Sequence, residues 1–171
     1  MTDGIHKFAL AAEATVIATT SSDVKAAKLK ELGAHHVVNY RENTQWGLAA
    51  KNLTPGNRGV DMVVDVGGNA TLGESLNAVR IDGVVVLAGL LGGNETVEPL
   101  MKVLSTICIV RGVVLGTKKM MKDMIRFVGQ NGIKMALDDH IFSLEDTQEA
   151  IQRLQKQQHF AKVVIRIAAE S

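Results

Sequence analysis

The sequence of 171 residues predicts one α/β domain, a doubly wound parallel sheet with helices on both faces. Three observations support this prediction. Short β-branched runs alternate with helical patterns along the chain, and each run is apolar on consecutive residues, as strands buried on both faces are. Most runs also end in glycine or small polar residues, at the end of a parallel strand where ligands bind.

The elements follow in order from these apolar runs and from the residues that end them. Ser22 is typical of a helix N-cap, Gly33 of a helix stop, and Pro55-Gly56 of a turn. The helix from 118 has the clearest amphipathic spacing. The predicted strands are 14–19, 36–39, 60–66, 84–88, 107–115 and 162–167. The predicted helices are 22–32, 46–53, 71–79, 97–104, 118–128 and 144–157.

Composition excludes several classes of protein. Hydrophobic residues make up 46% of the chain and charged residues 22%, which excludes a wholly disordered chain. With 19 basic and 18 acidic residues, the formal charge of +1 gives no footprint for nucleic acid or an anionic membrane. One cysteine allows no intrachain disulfide and no cysteine zinc cage. No targeting segment and no apolar stretch of about 18 residues are found, so a cytoplasmic protein is expected.

The candidate ligand site lies at the ends of the predicted strands. Small and polar residues there allow a ligand to approach the backbone closely, and their recurrence at five ends favours this interpretation. The alternative is that the glycines only make the turns from strand to helix. The five ends are Thr20-Ser21-Ser22, Asn39-Tyr40, Gly67-Gly68, Ala88-Gly89 and Leu115-Gly116.

The dinucleotide fingerprint G-x-G-x-x-G is absent, but a second dinucleotide signal is present. Thr20-Ser21-Ser22 stands where an acidic residue would bind the free ribose hydroxyls of NAD, and Lys25 follows one helical turn later. Hydroxyls, a helix N-terminus and a lysine suit a phosphate dianion. Asp23 opposes this reading and is expected to face solvent. Alternatively, Ser22 is a plain cap and Lys25 a solvated lysine.

The segment ATVIATTSSDVKAAKLKELGAHHVVNYR resembles the medium-chain dehydrogenase/reductase superfamily, in its zinc-type alcohol dehydrogenase-like and quinone oxidoreductase-like branches. The resemblance continues through GVDMVVDVGGNATLGESLNAVRIDGVVVLAGLLGG and RGVVLGTKKMMKDM to HFAKVVIRI. It covers essentially the whole chain from Phe8 onward and implies a Rossmann-like, NADP(H)-binding domain.

The resemblance also implies roles for particular residues. Ser22, Lys25 and Tyr40 match the family's clamp for the NADP 2′-phosphate, with Ser21 beside it. His159-Phe160-Ala161-Lys162 resembles the closing motif, which usually has glycine where Ala161 stands, so the alanine could crowd the cofactor. The segments whose backbone would line the ribose and nicotinamide are Val66-Gly67-Gly68, Ala88-Gly89-Leu90 and Leu115-Gly116.

The chain departs from the family pattern at its start. Residues 8–14 resemble the end of the helix that follows the first Rossmann strand and its glycine turn. The expectation is therefore one partial cofactor-binding domain over 1–171, without that strand, the glycine turn or the catalytic substrate domain. In the strand order 3-2-1-4-5-6, the absent strand is central, and each of its neighbours would lose hydrogen-bond partners along one edge.

Two functions remain open at this point. The resemblance implies an NADPH-dependent oxidoreductase that reduces a carbonyl or activated alkene, in general aldehyde or quinone reduction or in a tailoring step of a biosynthetic pathway. The alternative is a non-catalytic remnant or interaction module that needs a partner chain; a longer real protein is a third possibility. A homodimer through the sheet edge at 107–115 is also implied.

The remaining candidates have ordinary structural explanations. No residue stands out as a catalytic acid, base or nucleophile, and adjacent His35 and His36 make a poor metal site. Zinc is therefore not expected in this chain. Cys108, in an apolar strand, is expected to be an inert core thiol. The stripe of Met120, Met121 and Met124 is expected to pack into the core.

Overall fold

The computed structural model describes residues 3–92 and 100–167. Helices and strands alternate along these residues, with one short 3-10 turn at Pro55–Asn57. The helices are α1 (Asp3–Ala11), α2 (Asp23–Glu31), α3 (Trp46–Asn52), α4 (Asn69–Ala78), α5 (Leu100–Thr106), α6 (Lys118–Gln130) and α7 (Thr147–Gln155). The strands are β1 (Ile17–Thr20), β2 (His36–Asn39), β3 (Val60–Asp65), β4 (Val79–Leu87), β5 (Ile109–Gly112), β6 (Leu137–Ser143) and β7 (Lys162–Arg166).

The strands form three parallel sheets, β1–β2, β3–β4–β5 and β6–β7. Parallel strands alternating with helices confirm the predicted α/β class. Among the described residues, β1 and β3 each lie at the edge of a sheet and are not paired with each other. The expectation of two unpaired edges at this place is therefore confirmed for the described residues.

The core lies in the three-stranded sheet, where strands have neighbours on both sides. Val85 of β4, between β3 and β5, has no exposed surface, and Leu76 and Val79 pack beside it. Cys108 contacts this cluster, and burial raises the pKa of its thiol. A thiol with a raised pKa is a weak nucleophile, in agreement with the interpretation of Cys108 as a core residue.

Three predicted elements differ from the structure. The strand predicted at 84–88 begins earlier, at Val79. It continues through Gly83 because the pairing with β3 shifts register near Met62 and because Asp82 adopts a left-handed conformation, with φ 57°. The strand predicted over 107–115 is only Ile109–Gly112. The helix predicted over 97–104 is described from Leu100, and residues 97–99 lie outside the described ranges.

Strand β6 was not predicted at all. Its sequence, LDDHIFS, has polar residues at three successive positions and no apolar run. It is nevertheless a strand because β7 pairs with it and because the buried carboxylate of Asp138, inside it, forms an ion pair with Arg153. A local hydrophobic pattern cannot show such a partner.

The prediction that the methionine stripe packs into the core is wrong. Met120, Met121 and Met124 are 57%, 54% and 40% exposed. Only the far end of the stripe is covered, where the Phe127 ring stacks on Phe8 of α1 with centroids 6.0 Å apart. The amphipathic spacing correctly showed which face of α6 is apolar, but spacing does not show whether another layer covers that face.

Two helix contacts hold β1–β2 and β3–β4–β5 together. In the first, the Gly47 amide of α3 donates to the Glu74 carboxylate of α4 at 2.7 Å. In the second, α1 bridges two units: His6 Nε2 lies 3.1 Å from the Leu32 carbonyl after α2, and Phe8 reaches α6. No helix within the described ranges is long and apolar enough to span a bilayer.

Candidate cofactor-binding site

The first group of predicted residues lies at the adjoining ends of β1 and β2, called here the β1–β2 end. Thr20 is opposite Asn39, and the Tyr40 amide donates to the Thr20 carbonyl at 2.9 Å. This pairing brings Ser21 and Ser22 to the same end as Tyr40, whose side chain is exposed. The structure therefore brings together the hydroxyl residues that the sequence analysis had grouped.

Ser22 occupies the N-cap position of α2, with extended backbone angles φ −152° and ψ 137°. Its hydroxyl, however, caps none of the amides of this helix within the described part of the chain. The alternative in which Ser22 is only a cap is thus weaker than its position suggests. The hydroxyl and the first amides of α2 together form a group of donors suited to an anion.

The side chains of Lys25 and Asp23 both make hydrogen bonds that the sequence analysis did not predict. The ammonium of Lys25 is not merely solvated, because it donates to the Gln157 carbonyl at 3.3 Å. The carboxylate of Asp23 does not simply face solvent, because its Oδ1 accepts a hydrogen bond of 3.0 Å from Asn39 Nδ2. The β1–β2 end therefore holds one cation and one anion, each positioned by a neighbouring segment.

The second group lies at the adjoining ends of β3 and β4, the β3–β4 end, and is organised by a residue that sequence reasoning missed. Asp65 is 4% exposed. Its Oδ1 accepts from the amides of Gly67 and Gly68, both at 2.9 Å, and from Thr71 Oγ1 at 2.6 Å. Its Oδ2 accepts from Ser75 Oγ at 2.7 Å. An aspartate ending an apolar strand directly before two glycines was the available signal.

The glycines at this end are required by contacts within the chain itself. The Ala88 amide donates to the Asp65 carbonyl at 2.8 Å, so the two strand ends are joined. A Cβ on Gly89 would lie 2.6 Å from the Val66 carbonyl oxygen. Gly68 has φ +75°, and a Cβ there would lie 2.8 Å from Leu90. The alternative in which glycines serve the turns is therefore correct for these positions.

The remaining predicted residues lie elsewhere. Leu115 and Gly116 come after β5 has ended at Gly112, and Leu115 is 89% exposed, so the prediction that they end a strand is wrong. The extended chain beyond Gly112 keeps one hydrogen bond to β4, through the Val113 amide, and then leaves the sheet. Lys162 is the first residue of β7, in a different sheet from the other candidates.

The β6–β7 sheet is fastened by one buried ion pair. Arg153 of α7 donates to Asp138 through Nε at 2.5 Å and through a second nitrogen at 3.2 Å. The Phe160 amide also donates to this carboxylate, at 3.0 Å. The Arg153 guanidinium holds the pKa of Asp138 at about 2, below its ordinary 3.8. Asp138 thus ties the loop before β7 to α7.

Strand β6 and the loop before β7 both contact α2. Lys28 makes an ion pair of 2.6 Å with Asp139, and its ammonium lies 5.1 Å from the centre of the Phe160 ring. Ala161 has φ +65°, the left-handed region in which glycine is unstrained. An alanine in place of the family's usual glycine at position 161 therefore strains the backbone, in addition to placing a methyl group where it could crowd a cofactor.

A metal site has no support in the arrangement of side chains. Among the described residues, no three histidine, cysteine, aspartate or glutamate side chains come together as metal ligands. His35, one of the two adjacent histidines, instead accepts a hydrogen bond of 3.1 Å from the Val16 amide through Nδ1. Within residues 3–92 and 100–167, no side chains are therefore arranged as the three protein ligands of a catalytic zinc.

Comparison with known proteins gives one consistent result. A family model described as zinc-binding dehydrogenase matches residues 4–130. A zinc-type alcohol dehydrogenase-like protein of Schizosaccharomyces pombe is 33% identical over 165 residues, covering 94% of this chain and 47% of that protein. A relative from Leishmania amazonensis, named as a quinone oxidoreductase, is 25% identical and covers 90% of this chain and 49% of its own length.

A solved structure extends this agreement to the fold. The crystal structure of an NAD-dependent alcohol dehydrogenase superposes with a TM-score of 0.84 at 29% identity, covering 95% of this chain and 47% of that one. The chain thus spans about half the length of the proteins that it matches. It belongs to the zinc-binding dehydrogenase family of the medium-chain dehydrogenases/reductases, as the resemblance of its sequence implied.

Proposed function

We propose that this chain is the cofactor-binding part of an NADPH-dependent oxidoreductase that transfers hydride to or from a carbonyl or an activated alkene. Such a reaction would serve general aldehyde or quinone reduction or a tailoring step in a biosynthetic pathway. We also propose a cytoplasmic location and a homodimer in which the free edge of β5 takes part. The exposed Ile109 on that strand supports the dimer.

The observation that carries the proposal is the composition of the β1–β2 end. Ser21, Ser22 and Tyr40 are brought together there, and Lys25 lies one helical turn along α2. A 2′-phosphate placed at this end would meet three hydroxyl groups, the N-terminus of α2 and one ammonium. Asp23 on the same turn disfavours that phosphate, so the preference for NADPH rests on the cation outweighing it.

The residues of this chain determine which roles fall to the chain and which to the dinucleotide. When bound, the dinucleotide supplies the hydride, and the residues described here bind and orient it. The turns after β3 and β4 would support the ribose and nicotinamide through their outer faces, since their inner amides already serve Asp65. No residue of this chain is assigned as the acid or base toward the substrate.

Titration of the purified chain with NADPH and NADH, followed by nicotinamide fluorescence, tests the proposal. Lys25→Ala should weaken NADPH binding by roughly tenfold or more and change NADH binding by less than about twofold. Lys30→Ala, which removes an exposed lysine of the same helix, is the matched control and should change neither. Equal losses for both cofactors would remove the phosphate assignment. No binding at millimolar cofactor would reject cofactor binding by this chain.

A further inference from the structure

We propose that Asn39, the last residue of β2, is a positioning residue that allows a phosphate to bind at the β1–β2 end beside the carboxylate of Asp23. Asn39 acts through Asp23, because it fixes this carboxylate and offsets part of its charge. This role rests on the proposed preference for NADPH, in which Lys25 supplies the attraction for the phosphate and Asn39 limits the repulsion.

Asp23 is the obstacle to an anion at this end. It is the first residue of α2, and its exposed side chain lies in the same helical turn as Lys25. A carboxylate in the first turn of a helix interacts with the positive end of the helix, as a bound anion would, and it repels that anion. None of the ion pairs between described residues includes Asp23. The partner that the structure gives this carboxylate is the Asn39 side-chain amide.

The side-chain amide of Asn39 is oriented by two contacts. Its Oδ1 accepts from the Arg41 amide, two residues later, at 3.2 Å, which is the hydrogen bond of an Asx turn. With the oxygen engaged there, Nδ2 is left to donate to Asp23 Oδ1, at 3.0 Å. The reverse orientation would set the amide oxygen against the carboxylate oxygen and the NH2 group against the Arg41 amide. The two contacts therefore select one orientation, in which Asn39 is a donor toward Asp23.

The backbone of Asn39 is fixed as well. Asn39 is paired with Thr20 in the β1–β2 register, and its carbonyl accepts from the Asn43 amide at 3.0 Å. The hydrogen bond from Asn39 to a carboxylate is charge-assisted, and such bonds are roughly twice as strong as neutral ones. Because the donor is already ordered by these contacts, little conformational freedom is lost in holding the Asp23 carboxylate. Asp23 is thereby held at the end of β2 and is not free to approach the proposed phosphate position.

Nicotinamide fluorescence titration with NADPH and NADH measures this role as a ratio of two affinities. Asn39→Ala frees the carboxylate of Asp23, and the ratio of NADPH to NADH affinity should fall by roughly three- to tenfold. Asn39→Asp keeps an acceptor for the Arg41 amide, and with it the turn, but places a second carboxylate beside Asp23. The ratio should then fall on the order of tenfold or more, so this variant tests the role even where the alanine variant does not fold.

Asn43→Ala is the matched control for these variants. Asn43 Oδ1 accepts from the Gln45 amide at 3.1 Å, so it makes the same kind of turn, without a hydrogen bond to a carboxylate of the described residues. The affinity ratio of this variant should remain that of the wild type. A similar fall in Asn39→Ala and Asn43→Ala would contradict the proposal, because the loss of a turn would then explain both.

A second background separates positioning from general structural damage. In the Asp23→Asn variant, the further change Asn39→Ala should leave the affinity ratio unchanged, because the carboxylate on which Asn39 acts is gone. An equal fall in both backgrounds, or no fall in the wild-type background while Lys25→Ala still lowers the ratio, would overturn the role of Asn39 and leave the proposed function standing. If neither Asn39→Ala nor Lys25→Ala lowers the ratio, the phosphate assignment fails, and the role of Asn39 fails with it.

Discussion

The β3–β4 end and the β1–β2 end both meet the expected position of a cofactor, but they are built in opposite ways. The β3–β4 end is closed by its own hydrogen bonds: one buried carboxylate, Asp65, holds two glycine amides and two hydroxyl groups. The β1–β2 end presents Ser22 and Tyr40 with few internal bonds among the described residues. One of its charged side chains is held by Asn39 within the same end, and the other by the segment before β7.

The two ends are therefore expected to have different roles, the β3–β4 end in fixing the shape of the site and the β1–β2 end in distinguishing ligands. At the β3–β4 end, the backbone is fixed before any ligand arrives, so a ligand there meets a rigid surface that it cannot select by charge. At the β1–β2 end, charged and hydroxyl side chains are at least partly exposed, and we propose that discrimination between ligands with and without a phosphate takes place there. Damage to the first end should therefore appear as lost stability, and damage to the second as altered preference.

The largest effect is expected from Asp65→Ala at the β3–β4 end. Four donors lose their acceptor in a buried position, and the free energy of unfolding should fall by about 3 kcal/mol or more. Asp61→Ala is the matched control on the same strand, because that carboxylate is exposed and its ion pairs with Arg58 and Arg80 are worth less than about 1 kcal/mol. Urea unfolding measures both. Similar losses in the two variants would mean that the β3–β4 end is not held by this carboxylate.

Acid should loosen the segment that positions Lys25. Arg153 lowers the pKa of Asp138 to about 2 from 3.8, so the folded state binds this proton less readily than the unfolded state. The stabilisation is present above about pH 4 and is lost as the pH falls toward 2, in total about 2 kcal/mol. The difference in unfolding free energy between wild type and Asp138→Asn should shrink by about 1 kcal/mol, roughly half of the total, between pH 6 and pH 3. A constant difference would show that the ion pair does not titrate with folding.

How far the sequence predicts this molecule depends on how local each signal is. Strand β2 was predicted with its bounds, and the turn at Gly67-Gly68 at its place, since consecutive apolar residues and glycines act within a few positions. The Asp65 network was missed, although all its donors lie within ten residues, because a buried aspartate is unusual in an apolar run.

The features that the sequence analysis missed or predicted wrongly depend on residues that are distant in the sequence. Strand β6 exists because Arg153 neutralises Asp138 from a later helix, and no pattern in its own sequence shows this. The exposure of Met120 depends on which elements lie beyond α6. The tie between Lys25 and Gln157 spans 132 residues along the chain. Periodicity in the sequence identifies the apolar face of a helix and the ends of helices and strands. Tertiary packing determines which other element covers that face.

A smaller effect, one of preference alone, is expected from Asp23→Asn at the β1–β2 end. Removing the anion beside the proposed phosphate position keeps the bond with Asn39 possible and should raise the ratio of NADPH to NADH affinity by roughly three- to tenfold. Glu31→Gln, at the other end of α2, is the control and should leave the ratio unchanged. Fluorescence titration with both cofactors provides the measurement. An unchanged or lowered ratio would show that Asp23 does not disfavour a phosphate at this end.

The smallest effect is expected from Ala161→Gly in the loop that reaches α2. At φ +65°, alanine carries a backbone penalty of about 1–2 kcal/mol, of which the greater freedom of glycine in the unfolded chain cancels about half. The variant should therefore be more stable, by up to about 1 kcal/mol in urea unfolding. Ala27→Gly, in the middle of α2, should shift stability by a similar amount in the opposite direction. If both variants lose stability, Ala161 is not strained.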